Sequence, residues 1–338
     1  MARVRIKDIA EQAGVSAATV SRYLNNTPGA MTEETRARIA EVVERTGYRP
    51  LAAARSLRTD RSQLLGVVLA DISNPYSSAM LDALSRKAAA AGYSLMTAVS
   101  GNDAAAEAAA IDRLVAGGAD ALVVNTCGGN DRALREANLQ LPVVLLDRDV
   151  TGGGLDLVTS NNEELVDALV AEVAACGCER IALLTEQDVT SSIRRERAAR
   201  FTEECGRRGI ASDVVELGEA AAVSGEPDLI KKLQGEGPAG LIAINGLVFL
   251  RLVEILQAAE ASGALGDRHT PRVATFDEFA WNRVLMGGVT TAAQDVEGIA
   301  SAVVDLALER IDAASGERRV PRRIEIPGRV IRRASTAR

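Results

Sequence analysis

The segment that most limits how this chain can fold is IKDIAEQAGVSAATVSRYLNN, at positions 6–26. Apolar residues lie on one helical face of residues 7–13, Gly14 interrupts the pattern, and residues 17–24 form a second short helix. Ser16 suits the start of that helix because its hydroxyl can accept a hydrogen bond from a free backbone amide. Two short helices joined by a Gly-containing turn are typical of the helix-turn-helix motif, whose second helix enters the DNA major groove. An ordinary helical hairpin has the same spacing.

A third helix and a distinctive segment follow. Thr32 is a good N-cap for a helix that runs to Thr46, and Gly47 ends it. The run GYRPLAAARSLRT comes next. Together these segments resemble the head of the LacI family of transcriptional regulators, closely over about the first sixty residues. The remainder resembles the effector-binding core of that family more loosely, but along its whole length.

The resemblance implies an α/β fold: a small all-α helix-turn-helix head followed by a two-lobed, periplasmic-binding-protein-like core with parallel sheets. The residues themselves indicate the same class. From position 63 onward, apolar runs such as LLGVVLA (64–70) and ALVVN (121–125) alternate with helical stretches. This alternation predicts βαβ units and parallel sheets covered on both faces. Two such series predict two lobes, whereas the crossing of the chain between lobes is taken from the resemblance.

Four regions are therefore expected. They are a helix-turn-helix DNA-binding domain at 1–49, a hinge helix and linker at 50–62, a two-lobed effector-binding and dimerisation domain at 63–333, and a flexible tail at 334–338.

Charge is divided unevenly along the chain. Residues 1–61 hold 11 Lys and Arg against 7 Asp and Glu, whereas the rest holds 28 against 39. A basic head on an acidic body is typical of a small DNA-contacting module attached to another domain. No apolar run reaches the roughly 18 residues of a membrane span, and the first residues lack a signal-peptide pattern, so we expect a cytoplasmic protein.

The outward face of the second helix supplies candidate DNA contacts. Arg22 can make a bidentate contact to guanine or a phosphate contact, and the methyl groups of Ala17 and Ala18 can meet thymine. By resemblance, these three positions read bases. Short donors suited to phosphate oxygens are Ser16, Thr19, Ser21 and Asn25. Tyr23 departs from the small aliphatic residue that the family usually has there, and packing on the third helix is the alternative role for it.

Residues 51–58, LAAARSLR, have a helix-forming composition but are short, and isolated helices of that length are marginal in water. The resemblance implies a hinge helix that forms with its twofold mate on DNA, with Ala54 and Leu57 among the contacts. Leu57 would insert into the minor groove, unstack a base step and bend the duplex. Leu51 replaces the usual Asn of the family. A plain flexible linker is the alternative.

Polar residues at predicted strand ends mark a candidate effector cleft, because ligands of open α/β sheets bind at the carboxyl ends of the strands. The candidates from position are Asp71, Tyr76, Asn125, Thr126, Asp147, Arg148, Asn245 and Asp277. Each of them could instead be only a cap or turn residue. The resemblance implies that Arg197 grips the effector, that Asn245 and Asp277 are polar contacts, and that Gln294 is a further one.

Two positions depart from the family pattern around this cleft. Arg200 replaces a small Gly, and Gly246 replaces the acidic residue that normally follows Asn245. Arg148 and Arg197 could together hold a carboxylate through charge-assisted, bidentate hydrogen bonds. We therefore expect a sugar acid, such as a keto-aldonate, rather than a neutral sugar.

The sequence favours binding over catalysis. The four cysteines include no C-x-x-C pair, and the single His, His269, has no Ser or Cys motif near it. No metal site is expected because the chain lacks separated Cys and His pairs, and no catalytic residue is expected because no nucleophile–base set is present. No cofactor is expected either, because no G-x-x-x-x-G-K-[ST] motif occurs and the glycine clusters lack the strand–turn–helix context of a dinucleotide site. The alternative functions on the same two lobes are a solute-binding protein or a sugar-processing enzyme, neither of which explains the basic head.

The expected partners are a palindromic double-stranded operator, a sugar or sugar-acid effector and a second copy of the chain. Protein twofold symmetry is mirrored in operator DNA, and no leucine heptad follows Arg333, which favours a dimer over a tetramer. The predicted function is a sequence-specific regulator, a repressor by expectation. Effector binding would close the lobes and favour or melt the hinge helices.

We predict that Leu57→Ala weakens operator binding because it removes the apolar wedge, while effector affinity stays unchanged. Gel-shift titration with operator DNA and calorimetric titration with effector measure the two separately. An operator affinity equal to that of the wild type would contradict the hinge model.

Overall fold

The computed structural model describes residues 4–24, 29–48, 61–186, 191–218, 239–263, 271–313 and 320–337. The chain divides into two compact units, residues 1–63 and 64–338, close to the predicted start of the core at 63. Asn25, Ala54 and Leu57 lie outside the described residues, as does most of the predicted hinge. Within the described ranges, no helix is long and apolar enough to cross a membrane.

The first unit contains α1 (Ile6–Ala13), α2 (Ala17–Leu24) and α3 (Glu33–Thr46). Ile9, Val20 and Ile39, one from each helix, are completely buried and form its core. The three helices have the expected extents because their ends carry local signals. Gly14 ends α1 in the left-handed region at φ 65°, and Gly47 ends α3 at φ 60°.

The second unit begins with eight elements of the first lobe. They are β1 (Leu64–Leu69), α4 (Pro75–Ala90), β2 (Ser94–Val99), α5 (Ala104–Ala116), β3 (Ala121–Asn125), α6 (Asp131–Asn138), β4 (Val143–Leu146) and β5 (Asp156–Ser160). The second lobe follows with α7 (Asn162–Ala174), β6 (Arg180–Glu186), α8 (Ser192–Arg208), β7 (Ala211–Leu217), β8 (Ala239–Ala243), α9 (Gly246–Ala261), β9 (Arg272–Phe276) and β10 (Thr290–Ala293). Short 3-10 helices span Ala280–Arg283 and Leu285–Gly287.

The chain then returns to the first lobe with α10 (Val296–Asp312) and β11 (Arg323–Ile326), and ends in the second lobe with β12 (Arg329–Ile331). One six-stranded sheet has the order β11-β5-β4-β3-β1-β2, and the other has the order β12-β10-β9-β8-β6-β7. All neighbouring strands are parallel except β10 and β12. The expected two lobes, parallel sheets and repeated crossings are therefore present.

Both faces of the first sheet are covered by helices. Met80 of α4 and Val303 of α10 pack on one face, and Ile111 of α5 and Leu134 of α6 pack on the other; all four are fully buried. This two-sided burial explains why strands such as β3 read as continuous apolar runs. Because the paired strands are parallel, their carboxyl ends lie along one edge of each sheet, where loops can form a site.

Two parts of the core differ from the expectations. Strand β5 was not predicted, because its sequence DLVTS mixes polar and apolar residues, and its Asp156 is paired with the distant Arg310, Nε to Oδ2 2.7 Å. The expected flexible tail is wrong for the described part of 334–338. Ala334–Thr336 form a 3-10 turn, and Thr336 is 3 % exposed with its hydroxyl 2.6 Å from that of Thr290.

We predict that Asp156→Ala destabilises the protein by about 3–5 kcal/mol, because it leaves the buried Arg310 guanidinium without its bidentate carboxylate. Urea unfolding measures the change. The matched control is Glu136→Ala, which breaks an exposed pair with Arg132 and should cost less than about 1 kcal/mol. Similar losses for both variants would contradict this assignment.

Candidate effector cleft and DNA-binding head

Eight of the predicted effector residues line one cleft between the two lobes. They are Tyr76, Asn125, Asp147, Arg148, Arg197, Asn245, Asp277 and Gln294. Asn125 ends β3, Asn245 precedes α9, and Asp277 and Gln294 follow β9 and β10. The carboxyl ends of strands from both sheets thus bring these residues together, as expected for open α/β sheets. Asp147 likewise directly follows β4.

Arg197 is the most constrained charged group of the cleft. It is 4 % exposed; its Nε donates to Oδ1 of Asn162 at 2.8 Å and its Nη1 to the carbonyl oxygen of Ile244 at 3.0 Å. The guanidinium carbon lies 3.9 Å from the ring centre of Phe276, a cation–π contact. Its buried Nη2 has no hydrogen-bond partner among the described residues. One donor of a buried cation therefore remains for a ligand.

Arg148 is held from the first lobe and is 8 % exposed. Its Nη1 donates to the carbonyl oxygen of Thr126 at 3.1 Å, which directs the guanidinium along the loop that follows β3. A third arginine, Arg194, lines the cleft from the first turn of α8 and forms an ion pair with Glu186 at 2.5 Å. Arginines thus enter the cleft from both lobes.

Asp277 is held by two hydrogen bonds. Its Oδ1 accepts from Nε2 of Gln294 at 2.7 Å, and its Oδ2 accepts from the amide of Gly246 at 3.3 Å. Burial raises the pKa of this carboxyl, although Arg197 and the bond from Gln294 oppose the rise. Asn245 has a capping role as well, because its Oδ1 accepts from the amide of Val248 at 2.9 Å.

Tyr76 places a phenol among these charges. It is 8 % exposed, and its hydroxyl is buried without a hydrogen-bond partner among the described residues. Burial raises its pKa well above the usual range, and the nearby Asp147 and Asp277 raise it further, while Arg197 and Arg148 lower it. The phenol therefore stays protonated and can donate to a ligand.

Two predicted effector residues do not line the cleft. Asp71 accepts hydrogen bonds from the amide and hydroxyl of Ser73, at 2.8 and 2.9 Å, and so stabilises the turn before α4. Thr126 is 2 % exposed and donates its hydroxyl to Glu107 at 2.7 Å. For both residues the structure favours the cap-or-turn alternative over direct ligand contact.

Five lining residues were missed by the sequence analysis: Asn74, Ser77, Ile193, Arg194 and Ile244. The first two belong to the start of α4, and Ile193 and Arg194 belong to the start of α8. These helices each follow the first strand of a lobe, so their first turns occupy equivalent places. The sequence feature that could have identified these residues is their closeness to Tyr76 and Arg197. Residues near those two at the start of α4 and α8 also line the cleft.

The two lobes also touch outside the cleft. The amide of Asp149 in the first lobe donates to the hydroxyl of Ser192 in the second at 2.8 Å. Arg323 of β11 forms ion pairs with Asp149 at 3.7 Å and with Glu196 of α8 at 3.4 Å. These contacts hold α8, which carries Arg197, against the first lobe.

The two departures from the family pattern have separate physical explanations. Arg200 does not line the cleft and forms a bidentate pair with Asp167 of α7, at 2.7 and 2.5 Å. At Gly246, a side chain would collide with the ring of Phe279. The space beside Asn245 is therefore filled by an aromatic ring, which leaves no room for a carboxylate at position 246.

In the head, α2 presents the predicted DNA-contacting residues. Ala18 and Arg22 are exposed, and Ala17, Thr19 and Ser21 are half-buried. The exposed Ser16 accepts from the amide of Thr19 at 3.1 Å, so its hydroxyl caps α2 as the sequence indicates. Tyr23 packs against the core of the head, with Arg36 of α3 5.9 Å from its ring centre. That contact supports a packing role for Tyr23.

The first unit is a helix-turn-helix domain, and the second is a two-lobed core with a charged cleft. This combination is typical of DNA-binding regulators that respond to a small ligand. Comparisons with known proteins agree. The family described as "Bacterial regulatory proteins, lacI family" matches residues 5–50. The family of "Periplasmic binding proteins and sugar binding domain of LacI family" matches residues 62–334.

Individual proteins give the same result. The HTH-type transcriptional regulator PtxS of Pseudomonas plecoglossicida is 34 % identical over 99 % of this chain and 96 % of its own. The crystal structure of the Lac repressor dimer bound to operator and the anti-inducer ONPF has a TM-score of 0.84 at 22 % identity, covering 99 % of each chain. That of Cra from Pseudomonas putida with fructose 1-phosphate has a TM-score of 0.68 at 24 % identity, covering 80 % of this chain and 99 % of the other.

The chain belongs to the LacI family and is a DNA-binding transcriptional regulator, not an enzyme. This resolves the alternatives left by the sequence in favour of the regulator over a solute-binding protein or a sugar-processing enzyme.

We predict that Asp277→Asn flattens the pH dependence of stability. Burial raises the pKa of this carboxyl in the folded state, so between its ordinary and raised pKa the folded protein retains a proton that the unfolded chain has lost. The unfolding free energy of the wild type therefore falls as pH rises through that window. Urea unfolding between pH 4 and 7 should show the variant gaining stability relative to the wild type as pH increases; parallel profiles would contradict this.

Proposed function

We propose that this regulator is a homodimeric repressor whose affinity for a palindromic operator is controlled by a sugar acid bound in the cleft between the lobes. It acts in the cytoplasm, where the operator lies. The proposal separates into three parts: contact with DNA by the head, recognition of an anionic effector by the core, and coupling between them.

Contact with DNA rests on α2 and on the charge of the head. The exposed Arg22 can read guanine, and the methyl groups of Ala17 and Ala18 can meet thymine. Thr19, Ser21 and the capping Ser16 lie beside them, where short donors fix the register through phosphates. Asn25, Ala54 and Leu57 complete the predicted set. The basic balance of residues 1–61 supports steep salt dependence of operator binding.

The observation that carries the sugar-acid proposal is the free donor of Arg197. A buried guanidinium with one nitrogen left for a ligand favours an anionic oxygen, because a charge-assisted hydrogen bond then replaces a costly unpaired donor. Arg148 lines the same cleft from the opposite lobe, and we infer that it contacts the same anion.

The remaining cleft groups suit a polyhydroxylated ligand. The carboxylates of Asp147 and Asp277 can accept hydroxyl protons, while Asn125, Asn245 and Gln294 can also pair with hydroxyls. A carbohydrate-type ligand is also consistent with the fructose 1-phosphate bound by the structurally similar Cra. A carboxylate at one end and several hydroxyls along the chain describe an aldonate or keto-aldonate.

Coupling follows from the two-lobed design. An effector that contacts Arg148 and Asp147 of one lobe and Arg197 and Asp277 of the other stabilises closure, because it binds the closed form more tightly. Closure changes the dimer and thereby the hinge at residues 50–62, an order–disorder switch with a coupling energy of typically 1–3 kcal/mol.

We predict that D-gluconate or its 2-keto derivative binds, whereas D-glucose, which lacks the carboxylate, does not. Arg197→Gln should weaken aldonate binding about 30-fold or more, because it removes a buried charged donor. The matched control, Arg195→Gln, replaces an exposed arginine of the same helix and should bind as the wild type does. Calorimetric titration measures the affinity of the wild type and of both variants for each of the three ligands. Tight binding of glucose to the wild type, without binding of either aldonate, would reverse the proposal.

A further inference from the structure

A buried carboxylate lies behind the cleft, outside the residues that line it. Glu107 of α5 is completely buried, and its donors are neutral groups. Its Oε1 accepts from the hydroxyl of Thr126 at 2.7 Å, and its Oε2 accepts from the amide of Cys127 at 2.6 Å. The side-chain amide of Asn130 lies 3.3 Å from Oε1. Burying a carboxylate is costly unless hydrogen bonds compensate for the lost water. Here three donors do so, and the carboxylate in turn holds those donors in place.

All three donors belong to one loop, residues 126–130, which follows β3 at the cleft edge. Gly128 and Gly129 adopt left-handed conformations there, at φ 88° and 80°, so the loop turns tightly around the carboxylate. The amide of Gly128 donates to the hydroxyl of Thr126 at 3.1 Å, which continues the network within the loop. Glu107 therefore sets the path of the backbone immediately after Asn125.

Thr126 links this network to the cleft. Its hydroxyl donates to Glu107, and its carbonyl oxygen accepts from Nη1 of Arg148 at 3.1 Å. Thr126, which the buried carboxylate holds, is thus also a hydrogen-bond partner of the cleft arginine. Burial, and then the charge of Glu107 and a hydrogen bond with it, raise the pKa of the Cys127 thiol to about 12, so this thiol stays protonated beside the carboxylate.

We propose that Glu107 is a positioning residue of the effector cleft, which acts through Thr126 to aim the Arg148 guanidinium at the effector anion. This rests on the proposed sugar-acid function, because the aim of Arg148 matters only to an anionic ligand. It also gives Thr126 a role: it supports effector binding from behind the cleft wall rather than by contact.

The central test is a double-mutant cycle between Glu107→Gln and Arg148→Gln, in the full-length protein, with D-gluconate and its 2-keto derivative titrated separately by calorimetry. Glu107→Gln should weaken binding roughly tenfold, because it replaces hydrogen bonds to a charged carboxylate by weaker ones to a neutral amide. The double variant should bind no more weakly than Arg148→Gln alone, because both changes act on one contact. Losses that multiply in the double variant would overturn the proposal.

Two variants of the same helix separate positioning from stability. Ile111→Val removes a buried methylene from the core and lowers the unfolding midpoint without touching the loop. Asp112→Asn removes an exposed charge. Both should bind the aldonate as the wild type does. If Ile111→Val loses as much affinity as Glu107→Gln for the same loss of stability, Glu107 is merely structural and the proposal fails.

Position 126 offers a conservative rescue. Thr126→Ser keeps the hydroxyl that Glu107 accepts from and should retain near wild-type affinity. Thr126→Val has the same shape without the hydroxyl and should lose affinity as Glu107→Gln does. Equal affinities for the Ser and Val variants would contradict the proposed link.

One measurement does not need an effector. Hydrogen exchange of the amides at residues 127–130 should be faster in Glu107→Gln than in the wild type, and unchanged in Asp112→Asn. If the wild type binds neither aldonate, the sugar-acid function is overturned, and the exchange rates still decide the loop contact. Unchanged exchange in Glu107→Gln would overturn the role of Glu107.

Discussion

The interaction on which the cleft depends is the burial of the Arg197 guanidinium. Asn162, the carbonyl of Ile244 and the ring of Phe276 hold it, and one nitrogen is left for a ligand. A buried cation that is only partly paired is costly to a folded protein. Its cost is offset when an anion completes the arrangement. The same α8 is held against the other lobe through Ser192 and Glu196, so ligand recognition and lobe contact share one helix.

The two lobes contribute to the cleft in matching ways. Asn125 ends β3 and Asn245 follows β8, and these strands hold the same place in the two sheet orders. Asp147 and Asp277 follow β4 and β9, and both adopt left-handed conformations, at φ 65° and 70°. That region is uncommon for residues other than Gly, although Asp is among those that tolerate it. The same arrangement, a parallel strand followed by a polar turn residue, therefore occurs in both lobes and presents polar groups to the ligand from both sides.

Support for these groups comes from behind the cleft. Glu107 and Thr126 touch no ligand space, yet they determine the backbone from which Arg148 is directed. Phe279 similarly fills the space that a side chain at Gly246 would need. Fold alone does not define function, and this fold is shared with the Lac repressor at 22 % identity, so the ligand of this cleft has to be argued from its particular contacts.

The sequence by itself determined the head, the alternation of strands and helices, and most residues at the strand ends, because these depend on local periodicity, caps and turns. Only the tertiary structure decided which polar residues meet. Asp71 and Thr126 are drawn into local hydrogen bonds, whereas Ser77 and Arg194 reach the cleft through the start of α4 and α8. Strand β5 and the ordered tail depend on partners more than 40 residues away, such as Arg310 for Asp156 and Thr290 for Thr336. Short-range patterns carry no record of such pairings, since burial and hydrogen bonding there are set by packing between distant segments.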